Sequence, residues 1–254
     1  MGSRYRYTLV ALALWTLTCG QQERFTATVV PKDAQYVLTF RGYVTDDEQE
    51  LVGRIYTFTR ELSHVDTADG LPVYAFYSND ERFLFYEDED GALHQLTTVN
   101  LSDRILPFGL RTSKPALIRF WETLLRTDDG IGTEWEVTVD TTITATDSAG
   151  NPVTVRYYYG AKARFEGWGR AAIPESQTYE DVLDVFWHDV DNYIVNETAN
   201  DTLFVRRGTA HTYFNPELGV VKYISDYVLK DRKHDYVSRH GTWELIKKEV
   251  RPAS

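Results

Sequence analysis

One cysteine is present among the 254 residues, and it lies at position 19. The rest of the chain has no thiol with which to form a disulfide, so the stability of the folded part must come from its core and its backbone pairing. If Cys19 is consumed by a modification, a thiol enzyme is excluded as well.

Basic residues are also in deficit. Lys and Arg together number 27 against 38 Asp and Glu, which gives a net charge of −11 at pH 7. An acidic surface of this size repels phosphate backbones. Nucleic acid is therefore not an expected partner.

Long hydrophobic runs are missing too. The apolar run Thr8–Thr18 follows the basic residues Arg4 and Arg6 and ends in Leu17-Thr18-Cys19-Gly20. A basic, then apolar, then small-residue order is typical of a secretory signal. The run is too short to span a bilayer comfortably. We therefore expect residues 1–18 to be a signal peptide that is removed, followed by export from the cytoplasm.

Leu17-Thr18-Cys19-Gly20 resembles the lipobox of bacterial lipoproteins, with Thr16 and Thr18 as departures from the usual pattern. This resemblance implies that Cys19 is acylated, palmitate being a typical chain, and that residues 19–33 are a tether. Three acyl chains would anchor the protein stably to the membrane. The expected location is the bacterial periplasm or outer membrane. Cleavage without lipidation and a coincidental apolar N-terminus are the alternatives.

Catalytic motifs are absent from the sequence. It contains no nucleophile elbow, phosphate loop or dinucleotide fingerprint, and its six histidines lack metal-binding spacing. The densest polar cluster, His188-Asp189-Val190-Asp191, is interpreted as a solvated loop. We predict no catalytic residue, no metal and no cofactor. A hydrolase remains an alternative, which would need clustered carboxylates or His188 inside a cleft.

Two alternating stretches flank one turn in the middle of the chain. In residues 134–146 and 153–166 apolar side chains occupy every second position, and residues 147–152 between them are turn formers and small residues. Period two predicts strands with one dry face. Setting Ala145 opposite Val153 also brings Glu134 opposite Arg164 on the wet face, so this antiparallel register is the expected one.

The other segments fit the same class of fold. Short stretches rich in aromatic and β-branched residues alternate with polar turns on both sides of the central hairpin, which is typical of antiparallel meanders. Residues 179–187 fit strand and helix about equally, and strand is preferred. One amphipathic helix is expected after Ser113, because Leu117, Trp121 and Leu124 recur at three- and four-residue steps.

These patterns predict a mainly β protein. We expect an antiparallel curved sheet, or an open barrel or sandwich, with the short helix as a plug at one open end. Residues 34–254 would form a single β-rich domain, with a possible subdivision near residues 107–130.

Aromatic side chains are the remaining functional signal, with 17 Tyr, 12 Phe and 6 Trp. Tyr and Trp suit a greasy pocket or stacking against sugars, although β cores also favour them. The candidate ligand-binding residues are Trp121, Trp135, Tyr157, Tyr159 and Phe165.

Two internal segments, Gly132–Val137 and Tyr213–Tyr223, resemble those of uncharacterised exported bacterial β-sheet lipoproteins when taken with the lipobox-like start. The strand-rich layout with one plugging helix is also similar to the open half-barrels of the LolA/LolB lipoprotein carriers. The resemblance implies a non-enzymatic envelope protein that binds an apolar ligand or scaffolds envelope components. Glycan binding through exposed Trp and Tyr is the first alternative.

Overall fold

The computed structural model describes residues 35–78, 81–174, 176–216 and 218–251. Twelve strands account for most of them, and they are long because β-branched and aromatic residues dominate their sequences. The strands are β1 Gln35–Thr45, β2 Tyr56–Ala68, β3 Leu71–Ser78, β4 Glu81–Glu87, β5 Leu93–Asn100, β6 Leu117–Leu125, β7 Glu134–Thr146, β8 Pro152–Ala172, β9 Thr178–Asn196, β10 Asp201–Asn215, β11 Gly219–Lys230 and β12 Val237–Arg251.

All twelve strands belong to one antiparallel sheet, in the order β6-β5-β4-β3-β2-β1-β12-β11-β10-β9-β8-β7. It consists of two six-stranded meanders, β1–β6 and β7–β12, which are joined where β1 pairs with β12. The edge strands β6 and β7 are not paired with each other, so the sheet stays open. The expected mainly β class, with a curved antiparallel sheet and one short helix, is confirmed.

The register expected for the central hairpin is confirmed. Ala145 lies opposite Val153, and Glu134 lies opposite Arg164. The charges on the wet face pair differently from the expectation, since Arg164 bonds Glu166 on its own strand at 2.7 Å. Register is therefore set by the buried face, while exposed ion pairs contribute little to it.

The helix expected after Ser113 is wrong. Residues 117–125 form β6, whose whole length pairs with β5. The apolar residues that suggested a helical stripe are divided between the two faces of a strand, so that Trp121 lies opposite Leu96. Hydrogen bonding to a neighbouring strand overrides a local period of three to four residues, because it satisfies every second backbone group of the segment.

The one helix in the described residues lies immediately before that segment. Helix α1 spans Leu101–Ile105 and continues as a single 3-10 turn, Leu106–Phe108. Leu101 and Ile105 are fully buried, in a cluster that also contains Val155 and Tyr157 of β8. A short helix thus covers apolar residues of the sheet, as expected for a plug. It is formed by residues 101–105 and not by the segment after Ser113.

Two further local expectations are corrected. The strand expected over residues 153–166 does not end there, because β8 continues to Ala172 with a bulge near Gly167. Residues 188–191 are not a loop, since they lie within β9 where another bulge occurs. Bulges bend and twist a strand without ending its pairing. Both corrections therefore reflect curvature of the sheet rather than breaks in it.

The buried apolar residues of the sheet form four clusters. The largest cluster brings Phe85 and Leu93 of the first meander against Trp135, Trp187 and Phe214 of the second. Contacts between the two meanders show that the sheet curls far enough for its halves to face each other. This interior, rather than either meander alone, is what removes the apolar face from water.

The end of the β8–β9 hairpin folds back onto the seam between the two meanders. The fully buried Glu244 of β12 binds Arg41 of β1 at 2.6 Å and lies 3.8 Å from Lys222 of β11. Arg41 and Lys222 also donate hydrogen bonds to the carbonyl oxygens of Pro174 and Ala172. A buried carboxylate with two cations is thereby held where β1, β12 and β11 meet.

Gly208 tests the tight pairing of β10 with β11. A Cβ at this position would overlap the backbone carbonyl of Asp226. We therefore expect Gly208→Ala to lower the free energy of unfolding by about 1–3 kcal/mol, as overpacking does. The measurement is urea unfolding followed by tryptophan fluorescence.

Gly169→Ala is the matched control, because the nearest atom to its added Cβ is 3.8 Å away. Its free energy of unfolding should change by less than about 1 kcal/mol. An equal loss in both variants would show that strand flexibility, rather than close approach, explains the effect at Gly208.

Candidate functional site

The curled sheet leaves a cavity of about 210 Å³ between its two meanders. Strands β2, β5 and β6 contribute to one side and strands β8 to β12 to the other. The lining consists of the aromatic residues Tyr159, Trp187, Phe214, Tyr223 and Trp243, the aliphatic residues Leu124, Val190, Ala210 and Val220, and the polar residues Arg60, Gln95, Glu122 and Thr212.

The aromatic wall of the cavity is held rigidly. The indole N–H of Trp187 donates a 3.0 Å hydrogen bond to the hydroxyl of Thr212. Its ring meets that of Trp135 edge to face, with 6.0 Å between centroids and 80° between planes. Trp243 stacks on Tyr223 at 5.4 Å. Such contacts fix ring positions, so the shape of the cavity is set before any ligand binds.

Glu122 supplies a carboxyl group to the cavity from β6. Its oxygens accept hydrogen bonds from the hydroxyl of Tyr159 and, at 3.1 Å, from that of Thr97. Burial of this carboxyl group raises its pKa above the ordinary value. The same burial, with Glu122 nearby, raises the pKa of Tyr159 well above its usual range.

Arg60 supplies a cation to the cavity from β2. Its guanidinium carbon lies 5.3 Å from the ring centre of Phe40, 5.7 Å from Phe58, 5.3 Å from Phe83 and 5.1 Å from Trp243. Burial among these rings lowers the pKa of Arg60 to about 10. The guanidinium is thus a desolvated positive charge that faces the cavity over aromatic surfaces.

The candidate residues from the sequence are dispersed. Tyr159 lines the cavity, and Trp135 lies behind Trp187. Tyr157 and Phe165 are buried in the core, at 1% and 4% exposure. Trp121 packs in a separate cluster around Val73, Ala75, Leu84 and Leu96. Tyr159 is therefore the one residue of this set that the cavity exposes to a ligand.

Sequence reasoning missed Arg60 and Glu122, which carry the charges of the site. Alternation within residues 56–60 places Arg60 on the same face as Tyr56 and Phe58, so its inward position was readable once the strand was recognised. Glu122 was hidden by the wrong helix, because a carboxylate on an amphipathic helix is expected to face water.

The unpaired edges β6 and β7 lie beside the cavity. The indole N–H of Trp135 on β7 donates a 2.8 Å hydrogen bond to the carbonyl oxygen of Thr123 on β6. The two edge strands are therefore linked by a side chain where a closed sheet would have a ladder of backbone bonds. Two backbone hydrogen bonds between Arg111 and Thr146 also join the segment before β6 to β7. Such a junction can separate at lower cost than a full ladder of backbone bonds.

The alternative chemistries find less support in the geometry. His188 is exposed, in the bulged part of β9, and not inside a cleft. Among the residues that the structure describes, no three His, Cys, Asp or Glu side chains are grouped closely enough to hold a metal ion.

Cys19 and the signal-like segment lie outside the described residues. Within the described part of the chain, no helix has the length and apolar character needed to cross a membrane. Comparisons with protein-family models, with curated proteins and with solved structures found no match. The resemblance to LolA/LolB carriers therefore stays a prediction.

The raised pKa of Glu122 gives the protein a specific pH dependence. Because the folded state holds this proton more tightly, the contribution to stability is complete below the unfolded pKa of about 4.3. It is lost as pH rises through the folded pKa. We expect Glu122→Gln to gain stability over the native chain by about 1–3 kcal/mol as pH rises above that range.

Free energies of unfolding from urea titrations at several pH values between 4 and 8 measure this difference. Glu134→Gln is the matched control, because Glu134 is an exposed carboxylate on β7. A difference that does not grow with pH for Glu122→Gln would contradict the assignment of a buried, proton-binding carboxyl.

Proposed function

We propose that this protein binds a small, mostly apolar molecule in the cavity between its two meanders, as a non-enzymatic component of the bacterial envelope. The observation that carries the proposal is the cavity of about 210 Å³ with its wall of fixed aromatic rings. An apolar ligand that covers the lining removes apolar surface from water, and this burial favours binding by about 25 cal/mol per Å².

The size of the cavity limits the ligand. An apolar cavity of about 150 Å³ is known to stay dry and to accept a benzene-sized molecule. The present cavity is larger than that, and it is smaller than the ~300 Å³ at which sites for drug-sized ligands begin. One small organic molecule, rather than a folded domain or a long polymer, suits it.

The open edge of the sheet supports exchange of such a ligand. Strands β6 and β7 border the interior without backbone pairing to each other. The Trp135–Thr123 hydrogen bond links them, and a single backbone bridge joins Arg111, before β6, to Thr146 at the end of β7. Separation of this junction would expose the interior while leaving the pairing within each meander intact. A binding protein that must load and release its ligand needs a reversible opening of this kind.

Glycan binding is the less favoured function. Three Tyr and Trp side chains of the described residues are strongly exposed, namely Tyr56, Trp168 and Tyr236. They lie on three separate elements, namely β2, β8 and the turn before β12. A flat row of stacking platforms, which a glycan-binding surface would need, is not formed by them.

The environment-sensitive dye N-phenyl-1-naphthylamine, which is uncharged, tests the proposal. We expect its fluorescence to rise when it is added to the purified full chain in detergent-free buffer. Val190→Phe adds volume inside the cavity, so it should weaken binding by about tenfold or more, which corresponds to ~1.4 kcal/mol.

Val228→Phe is the matched control, since it makes the same change at an exposed position on β11. Its dye affinity should equal that of the native chain. If both variants bind the dye as the native chain does, the dye is not in this cavity. If the native chain does not bind it, the proposal of an apolar-ligand protein is contradicted.

Anchoring through Cys19 is the second part of the proposal, and it rests on the lipobox-like sequence. We expect the protein expressed in bacteria to partition with membranes and to carry the added mass of a diacylglyceryl group and an amide-linked acyl chain. Cys19→Ser should abolish both, because a serine hydroxyl cannot form the thioether. Intact mass spectrometry of membrane-extracted protein measures this. Unchanged mass and partition in the variant would remove the anchoring claim.

A further inference from the structure

Arg60 supplies the positive charge of the cavity. Among the described residues that line the cavity, Arg60 is the only cationic side chain. Its guanidinium is wrapped by the rings of Phe40, Phe58, Phe83 and Trp243. A charge in such surroundings has lost most of its hydration, which is costly unless another group compensates.

The protein itself does not provide a full compensation. In the described part of the chain no carboxylate lies within ion-pair distance of Arg60, and its buried Nε has no hydrogen-bond partner. Cation–π contacts offset part of the lost hydration. They engage the faces of the guanidinium and leave its buried Nε–H without an acceptor. A buried, unpaired donor that borders a cavity indicates a missing acceptor.

Glu122 lines the same cavity but does not fill this role. Its oxygens are engaged by the hydroxyl groups of Tyr159 and Thr97, and it forms no ion pair with Arg60. Burial favours its neutral form. The acceptor that Arg60 lacks must therefore come from outside the chain.

The rest of the lining restricts what this acceptor can be. One guanidinium matches one planar carboxylate, which it can bind through two parallel hydrogen bonds. A dianion such as a phosphate monoester would need a second cation, and the described residues of the lining offer none. The remaining walls are aromatic and aliphatic, so they suit an apolar body attached to the charged group.

We propose that the ligand of this cavity is an amphiphilic monocarboxylate, with its carboxylate paired to Arg60 and its apolar body against Trp187, Val190 and Tyr223. This inference rests on the proposed function, since it names the class of molecule that the apolar cavity takes. It adds a selectivity that an apolar cavity alone would not show.

Decanoate and 1-decanol test the selectivity, because they share a chain and differ in the charged group. Each is titrated against the full chain preloaded with N-phenyl-1-naphthylamine, and displacement of the dye is measured at pH 7.5. We expect decanoate to displace the dye at a concentration about 10- to 100-fold lower than 1-decanol does, which is the range of a hydrogen bond to a charged group.

Arg60→Met assigns the selectivity to its residue. The variant keeps the length and apolar contacts of the side chain and removes the charge, so the two titrations should coincide. The dye affinity of the variant is measured first, and the two displacement titrations are compared after correction for it. Arg60→Lys keeps a charge without the planar fork, and it should retain part of the preference for decanoate.

The possible outcomes separate the two proposals. If the dye binds and decanoate and 1-decanol displace it equally, the carboxylate assignment is wrong while the apolar-ligand function stands. If neither the dye nor decanoate binds, both proposals fall. If the preference for decanoate persists in Arg60→Met, Arg60 is not the anion site. If Arg60→Met does not fold, the native comparison and Arg60→Lys decide.

Discussion

The pairing of the first described strand with the last one is the constraint on which the structure depends. Gln35 on β1 lies opposite Arg251 on β12, and the pairing continues to Thr45 opposite His240. Without this contact the chain would be two separate meanders, each with an apolar face open to water. With it, one sheet has enough strands to curl until its halves meet. The cavity, its ionisable residues and the open edge beside it all depend on this curling of the joined sheet.

Bending of the sheet brings its two halves together around the interior. Register shifts occur in β1–β12, β2–β3, β8–β9, β9–β10 and β10–β11, so the sheet bends at many points. Each bulge increases the local twist and redirects side chains. The register shift between β1 and β12 falls between Thr39 and Phe40, and the ring centre of Phe40 lies 5.3 Å from the guanidinium carbon of Arg60. Bending of the sheet and placement of the cation are therefore linked.

Local patterns predicted the part of the fold that local forces decide. The register of the β7–β8 hairpin followed from alternation and one turn, and the strand preference for residues 179–187 was correct. The helix after Ser113 was wrong because a three- to four-residue period in a short segment also fits a strand whose two faces are both covered. The true helix has five residues, too few to produce a periodic signal.

The cavity was beyond local patterns because it depends on which distant strands face each other. Arg60 and Glu122 belong to strands separated by three others in the sheet order, and neither strand alone shows that the two side chains meet at one cavity. Their joint burial depends on the pairing of β1 with β12, which joins the two meanders through residues about 200 apart along the chain.

A buried charge pair is usually replaceable by apolar residues with no loss of stability. Arg60 and Glu122 depart even from that arrangement, because they share a cavity without pairing. Each keeps its own partners instead, aromatic rings for the cation and hydroxyl groups for the carboxyl. A core selected for stability alone has no use for a desolvated cation and a separate buried carboxyl group. Their retention beside an accessible cavity is better explained by a ligand whose polar group completes the bonding of Arg60.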